Sequence, residues 1–378
     1  MNATLIHLAV LGPPLVMAAF QLGRSPGSIV LTIYVLYALT TSNIYRRLPP
    51  ALALLLFGYL SAMALSLLLY GIDTADGFRE LLKLSLVTIA TLYATQAVVE
   101  RPESVRGMTL ALFIIALSAP LDYLARLIHH YMTSEYQMIA LLNGLHVAAL
   151  APLGLAHLGR KPVHQGLWIA MITALLAIGT SRSEMLMIFA GFLSVYAFHH
   201  RHILWLLIAI PVAIIAALGY GVWVRPHTLI DAADLYAFLD NLSSYRLQLW
   251  GLAKDHPPEN LWIGVGMAQS PHYFHSHNYP YDSFHNAFLG IWYEGGWIGL
   301  ALVVLAYGLM FGRIGTRYRE LDGEGRWIYA CLFGSAVASL CASMVDRGHT
   351  SILFSNFLLY CGLMLYWYRP MPRCGVDG

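Results

Sequence analysis

Three residues from distant parts of the chain have side chains suited to binding an anion and moving a proton. Arg182 lies between two apolar segments, Arg246 lies among apolar residues, and His285 directly precedes a long apolar run. The planar guanidinium group of arginine suits phosphate oxygens, and histidine can accept a proton near neutral pH. These residue types together favour chemistry at a phosphate-bearing substrate, where cations stabilise negative charge and a base activates a hydroxyl group.

The segment from Leu242 to Asp255 predicts an amphipathic helix with Arg246 in the middle of its apolar face. At 100° per residue, that face also holds Leu242, Tyr245, Leu249, Trp250, Leu252 and Ala253. An arginine among apolar residues is costly unless it meets an anion or extends to lipid headgroups. Two interpretations stay open: an interfacial helix whose arginine contacts headgroups, and a guanidinium directed inward at a phosphate.

His285 stands where a polar loop runs into an apolar segment. Asp282 or Ser283 can cap a helix at this point, which predicts His285 in the first turn of that helix. The free N–H groups and partial positive charge of a helix N-terminus favour phosphate. His285 is therefore either a general base at the membrane surface or an interfacial histidine bonded to the loop.

Glu294 is followed by Gly295 and Gly296, and paired glycines within an apolar segment predict a kink or a break. Glu294 lies nine residues after His285, about half a turn around a helix, so the two side chains do not share one face. We expect Glu294 to cap or brace the break in preference to a catalytic role.

Two further motifs have simpler explanations. Arg182 is also compatible with an interfacial anchor paired with Glu184. Three loop histidines could bind a metal, namely His272, His275 and His277. No carboxylate or cysteine joins them before Asp282, so we expect an ordinary loop, no metal site and no cofactor.

The elements that position these residues are predicted to be membrane helices. Of the 378 residues, 58% are hydrophobic and 11% are charged, whereas soluble proteins average about 25% charged residues. The apolar residues fall in blocks of roughly 15–22, the length that crosses a bilayer as a helix. This excludes a soluble cytosolic enzyme and predicts an all-α polytopic membrane protein, with one domain over residues 1–378.

We predict about twelve transmembrane helices. They lie at about 4–21, 27–43, 50–70, 84–99, 107–121, 137–157, 164–180, 183–198, 203–221, 284–312, 326–345 and 351–367. Residues 4–21 are expected to be an uncleaved first span, because the first basic residue is Arg24.

The distribution of Lys and Arg predicts the orientation. With a cytoplasmic N-terminus, thirteen of the 22 basic residues fall on the cytoplasmic side, which places both termini inside and the long loop 222–283 on the outer face. That loop holds three basic and six acidic residues, a formal charge of −3. A nucleic-acid partner is therefore not expected, and any anion must be held by a few placed arginines.

The order of the motifs resembles the O-antigen ligase and Wzy-type polymerase superfamily of bacterial inner-membrane glycosyltransferases. A Ser-Arg-Ser at Arg182 is followed by Arg246-x-x-x-Trp250, by Trp262-Ile-Gly264-Val-Gly266, and by His285-Asn286…Glu294-Gly295-Gly296…Gly299-Leu300. The resemblance covers about Leu141 to Met310, and the last string is its most specific part.

The resemblance implies an enzyme with about twelve spans and one large periplasmic loop. Such enzymes move a glycan from undecaprenyl diphosphate to lipid A–core in ligases, to another lipid-linked repeat unit in polymerases, or to a protein in related enzymes. By resemblance, Arg182 and Arg246 match the arginines that hold the diphosphate, and His285 matches the catalytic histidine. Arg225 and Arg347 are added from their predicted side of the membrane only.

Five residues are expected to support this site: Asp282, Asn286, Glu294, Gly264 and Gly266. His277-Asn278 is a second His-Asn pair nearby. His285 is preferred because the Glu-Gly-Gly and Gly-Leu motifs follow it at the spacing that the resemblance implies.

Several functions stay open at this point. A ligase is favoured because the chain is short and has one sizeable outer loop, with a polymerase or a protein O-oligosaccharyltransferase as alternatives. A transporter or flippase of lipid-linked glycans predicts charges near the bilayer midplane and repeated halves, and the sequence has neither. In every case the chain contacts membrane lipids.

Overall fold

The fold was obtained as a computed structural model that describes residues 24–41, 49–100, 144–158, 161–178, 182–200, 240, 246–276, 279, 283–345 and 361–366. These residues form helices joined by short connections, and no strand occurs among them. The predicted all-α class is therefore confirmed for this part of the chain.

The helices follow the apolar segments of the sequence. They are α1 Arg24–Thr41, α2 Pro50–Tyr70, α3 Thr74–Glu100, α4 Gly144–Leu158, α5 Pro162–Ile178, α6 Arg182–His199, α7 Arg246–Asp255, α8 Ser270–Ser276, α9 Ala287–Phe311, α10 Ile314–Glu320 and α11 Gly323–Val345. Residues 361–366 are also helical. The predicted spans 4–21, 107–121 and 203–221, and most of 351–367, lie outside the described residues.

Three stretches of the described chain are long and apolar enough to cross a membrane: Pro50–Tyr70, Ala287–Glu320 and Gly323–Met344. Ser28–Thr40 and Ser183–His199 are shorter apolar helices. The protein therefore has the helices of a membrane protein, while the count of twelve spans stays a prediction.

Helices α4, α5, α6 and α11 pack into one group. Its closest contact joins α6 to α11, where a Cβ atom added to Gly334 would lie 2.6 Å from the carbonyl oxygen of Gly191. Small residues allow such an approach of two backbones. Two buried indoles tie the group together, since Trp168 donates to the carbonyl of Ala151 at 2.9 Å and Trp327 to that of Leu155 at 3.1 Å.

Helices α1, α2, α3 and α9 form a second group. Helices α2 and α9 run antiparallel, because Leu52 at the start of α2 packs near Met310 at the end of α9. Further along, the hydroxyl of Ser66 donates to the carbonyl of Glu294 at 2.9 Å. The N-terminal end of α9 therefore adjoins the end of α2 and the short connection that follows Tyr70.

The two ends of the molecule differ in their charged residues. Arg313, Arg317 and Arg319 follow α9 at the end remote from Ala287. The hydroxyl of Tyr318 donates to the carbonyl of His199, the last residue of α6, at 2.9 Å. Arg182 begins α6 and therefore lies at the opposite end of that helix, away from this arginine-rich end.

Candidate active site at a broken helix

Helix α9 is broken in its N-terminal half. Gly296 has φ 63° and ψ −168°, far from helical values, and the helix resumes directly after it. The break predicted from the paired glycines is therefore present. A break in an apolar helix leaves backbone N–H and C=O groups without intrahelical partners, and in lipid such groups must be satisfied internally.

The connection 261–266 supplies those partners. On the N-terminal side of the break, the N–H groups of Val265 and Gly266 donate to the carbonyls of Tyr293 and Glu294 at 3.1 and 2.9 Å. On the other side, the N–H groups of Trp297 and Ile298 donate to the carbonyls of Leu261 and Trp262 at 2.9 and 3.1 Å. The connection thus fills the break with four backbone hydrogen bonds.

Two glycines make this fit possible. A Cβ atom on Gly296 would lie 2.2 Å from the carbonyl carbon and oxygen of Trp262. Gly264 has φ +80°, and a Cβ atom added to it would lie 2.5 Å from the carbonyl carbon of Glu294. A side chain at either place would force the two backbones apart. The Trp262-Ile-Gly264-Val-Gly266 and Glu294-Gly295-Gly296 motifs therefore form one structural unit.

The carboxylate of Glu294 holds the connection in place from within. Glu294 is 0% exposed, and its Oε2 accepts from the N–H of Ala268 at 2.9 Å. Its Oε1 accepts from the hydroxyl of Ser270 at 2.6 Å and from the Ser270 N–H at 3.4 Å. With these three hydrogen bonds, the Glu294 side chain acts as the brace of the broken helix.

A second buried side chain ties the connection to the end of α2. Oε1 of Gln269 accepts from the N–H groups of Ile72 and Asp73 at 2.8 and 2.9 Å. Its Nε2 donates to the carbonyls of Asp73 and Met267 at 2.9 and 3.1 Å. The turn after α2 and the connection to α8 are therefore held together at one end of the molecule.

Helix α7 lies against this assembly through the face that its sequence predicts. Leu249, Leu252 and Ala253 are buried and pack with Phe274, Phe284 and Tyr293, whereas Gln248, Lys254 and Asp255 are exposed. The described part of the helix begins at Arg246, and the predicted part before it lies outside the described residues.

The start of α7 combines a cation with a nearby carboxylate. Arg246 is the first residue of the helix and its side chain is half-buried. The buried Asp240 accepts a hydrogen bond from the Gln248 N–H at 2.9 Å, so this carboxylate caps the first turn. The backbone N–H of Gln248 is therefore already engaged by a protein carboxylate.

His285 lies just outside α9, which corrects the expectation that Asp282 or Ser283 caps the helix. The cap is Asn286, whose side chain accepts from the Leu289 N–H at 3.1 Å, and the helix begins at Ala287. His285 has φ +49°, a left-handed conformation that cannot lead into the helix, so the cap falls after it. A non-glycine residue held there costs about 1–3 kcal/mol, and such strain is concentrated at functional sites.

Phe284, the residue before His285, is held through both its main chain and its side chain. The Trp250 indole N–H donates to the carbonyl of Phe284 at 2.9 Å. The ring of Phe284 is 1% exposed and lies with its centroid 4.8 Å from that of Phe274 and 4.9 Å from that of Tyr293. The structure therefore brings α7, which carries Arg246, against the residue that precedes His285.

The other predicted site residues are placed as follows. Arg182 begins α6, and nothing further is described of its side chain. Asn286, Glu294, Gly264 and Gly266 belong to the helix cap and the broken helix described above. Three predicted site residues lie outside the described part of the chain: Arg225, Asp282 and Arg347.

Tyr273 of α8 belongs to this aromatic cluster, since its ring contacts those of Phe274 and Tyr293. Burial raises the pKa of Tyr273 above its ordinary value, so the phenol is protonated at neutral pH. A protonated phenol is a poor proton acceptor.

Of the three loop histidines, His277 lies outside the described residues. Nε2 of His272 lies 3.7 Å from Oδ2 of Asp73, which follows α2, and His275 is an exposed residue of α8. Within the ranges that the structure describes, no group of three His, Cys, Asp or Glu side chains is arranged to hold a metal ion.

Sequence reasoning missed three residues of this assembly. Ser270 and Gln269 lie in a stretch with no clear periodicity in the sequence. Ser270 bonds to Glu294, 24 residues away, and Gln269 bonds to Ile72, 197 residues away. Phe284 looked like one more apolar residue. Only its carbonyl, bonded to Trp250 from 34 positions away, gives it a role beside His285.

The fold and site define a helical membrane protein with a polar site built at the mouth of a broken helix. Residues 166–304 match the family model of the O-antigen ligases, which confirms the resemblance drawn from the motifs. The matched region contains Arg182, α7, the connection that fills the break, His285 and the break itself, and the match supports glycosyl transfer of the ligase or polymerase type in general. No curated protein matches the chain.

Proposed function

We propose that this protein is an O-antigen ligase, which transfers a glycan from undecaprenyl diphosphate to lipid A–core at the periplasmic face of the bacterial inner membrane. The observation that carries the proposal is the contact of α7 with the residue before His285, within the region that matches the ligase family. This contact brings a helix that begins with an arginine to a histidine at the mouth of a membrane helix.

In the proposed reaction, Arg246 and Arg182 bind the diphosphate of the donor, with Arg225 and Arg347 as further cations on the same side. The acceptor hydroxyl oxygen attacks the anomeric carbon, and its proton passes to His285. The bond from that carbon to the diphosphate oxygen breaks, and undecaprenyl diphosphate leaves with the negative charge. Preformed guanidinium groups stabilise this charge without a metal ion.

This direct displacement inverts the anomeric centre. Analysis of the anomer in donor and product tests the step, since retention of configuration requires two displacements and contradicts it. The proposed site opens sideways to the bilayer because its donor is a lipid, and it needs no nucleotide-sugar site.

The first experiment is the lipopolysaccharide banding pattern of a strain deleted for this gene and complemented with wild-type protein, His285→Ala or His275→Ala. His275 is an exposed histidine of α8 and serves as the matched control. We expect wild type and His275→Ala to restore O-antigen-capped bands. His285→Ala should leave polymerised glycan on undecaprenyl diphosphate.

The same gel separates the alternatives. Core that carries a single repeat unit identifies a polymerase. An unchanged banding pattern in the deletion strain excludes lipopolysaccharide as the product, and glycoproteins or capsule are then tested as acceptors. Full activity of His285→Ala contradicts the role of the histidine.

A double substitution of Arg182 and Arg246 separates the enzyme from a flippase. Loss of glycan transfer while lipid-linked donor still appears outside supports the enzyme. Loss of donor translocation supports transport instead. We expect the first result.

A further inference from the structure

The peptide bond between Phe284 and His285 is held by a side chain from another element. The indole N–H of Trp250 donates to the Phe284 carbonyl at 2.9 Å. That carbonyl belongs to the peptide group between residues 284 and 285. Rotation of this group about the N–Cα bond of His285 changes φ of His285, which is +49°. The indole therefore fixes the plane that sets the direction of the His285 Cα–Cβ bond.

The surroundings leave little else free to move at this point. The Phe284 ring is buried among the rings of α8 and α9. On the other side, the Asn286 side chain caps α9, and the Asn286 carbonyl accepts from the Gly290 N–H at 2.9 Å. His285 is a single left-handed residue between two anchored ones, and the Trp250 bond is the anchor that comes from α7.

Trp250 also links His285 to the cation of the site. It lies four residues after Arg246 on α7, so the two side chains share one face and are one turn apart. A displacement of α7 moves the guanidinium and the peptide of His285 together. The single indole bond therefore couples the positions of the two groups.

We propose that Trp250 is a positioning residue for His285: its indole N–H holds the 284–285 peptide in the conformation in which the imidazole reacts. The proposal rests on the proposed function of His285 in glycan transfer. Without the N–H donor, the peptide can rotate toward negative φ, and the imidazole leaves its place. A displacement of about 1 Å at a reacting group can lower the rate by about 100-fold.

The test compares variants of the purified full-length protein in glycan transfer from the lipid-linked donor, with kcat and KM measured separately. Trp250→Phe keeps an aromatic ring and removes the N–H. Incorporation of benzothienylalanine at position 250 replaces only the N–H by sulfur and keeps the shape of the indole. The matched control is Trp168→Phe, which removes an indole bond of the same length, to the Ala151 carbonyl, inside the other helix group.

We expect both changes at position 250 to lower kcat about 10- to 100-fold, with the KM for the donor within about twofold of wild type. Trp168→Phe should lower the unfolding temperature by a similar amount to Trp250→Phe and leave kcat unchanged. Unchanged kcat in the benzothienylalanine protein overturns the proposal. A decrease in kcat of Trp168→Phe equal to that of Trp250→Phe also overturns the proposal, because it shows that the loss of an indole bond acts through stability alone.

The same assay on His285→Ala keeps this inference separate from the proposed function. A loss of activity in His285→Ala with normal kcat in the position 250 variants rejects the positioning role and leaves the function standing. Full activity of His285→Ala rejects the function itself. If Trp250→Phe does not fold, the benzothienylalanine protein still decides the question, because its packing is that of the indole.

Discussion

The buried carboxylate of Glu294 accepts a hydrogen bond from the Ser270 hydroxyl at 2.6 Å and one from the Ala268 N–H at 2.9 Å. One side chain of a membrane helix thereby holds the segment that fills the break in that same helix. The acid of the Glu-Gly-Gly motif thus has a structural explanation in these hydrogen bonds.

Glu294→Gln tests this explanation. The amide can offer one acceptor oxygen where the carboxylate offers two, and its NH₂ group faces donors. We expect a loss of about 1.5–3 kcal/mol in the free energy of unfolding, seen as a lower unfolding temperature in detergent. The control is Glu320→Gln, since Glu320 pairs with Arg317 at the surface and should contribute little. Normal stability with lost transfer activity contradicts the structural role.

Gly296→Ala tests the close approach at the break. The added Cβ atom would lie 2.2 Å from the Trp262 carbonyl, at a residue with φ +63°. We expect a cost of about 3 kcal/mol or more, measured as loss of folded protein after extraction. Gly308 lies in the same helix with nothing within 4 Å of a Cβ atom, so Gly308→Ala should be neutral or stabilising by up to about 1 kcal/mol. Similar effects of both changes count against a filled break.

His285→Gly separates the strain at this residue from its chemistry. Glycine adopts positive φ without steric cost. We therefore expect this variant to be more stable than His285→Ala by about 1 kcal/mol in the free energy of unfolding. Both variants should lose glycan transfer. Thermal unfolding and a transfer assay on the same preparations give the two quantities. A glycine variant less stable than the alanine variant argues against strain at position 285.

Arg246→Ala tests the diphosphate-binding role proposed for the first residue of α7. We expect weaker binding of the donor, seen as an increase in KM of about tenfold or more, because a charge-assisted bond to phosphate is lost. Arg246→Lys should recover part of this, since lysine keeps the charge and loses the planar fork. Lys254→Ala, an exposed change on the same helix, is the control. An unchanged donor KM in Arg246→Ala removes the arginine from the site.

The sequence predicts those parts of the fold that depend on local pattern. The bounds of α2 follow directly from a run of apolar residues after Pro49, and the buried face of α7 follows from a period of 3.6 residues. The break at Gly296 follows from paired glycines. In each case the signal lies within the element itself.

The remainder depends on pairings that no local pattern records. The start of α9 that the sequence predicts is too early. Asp282, Ser283 and Asn286 are all good capping residues, and the left-handed backbone of His285 places the cap at Asn286. The filling of the break rests on main-chain groups of the 261–266 connection, and main-chain groups are the same in every sequence. The hydrogen bond from the Trp250 indole also ends on a main-chain group, the Phe284 carbonyl.

The break in α9 also imposes an order of assembly. If α9 opened at Gly296 before the 261–266 connection arrived, four backbone groups would face hydrocarbon, each at a cost of several kcal/mol. The connection is in turn tied to the turn after α2 through Gln269. We therefore expect α9 to open at Gly296 only when α2 and the 261–266 connection already lie beside it.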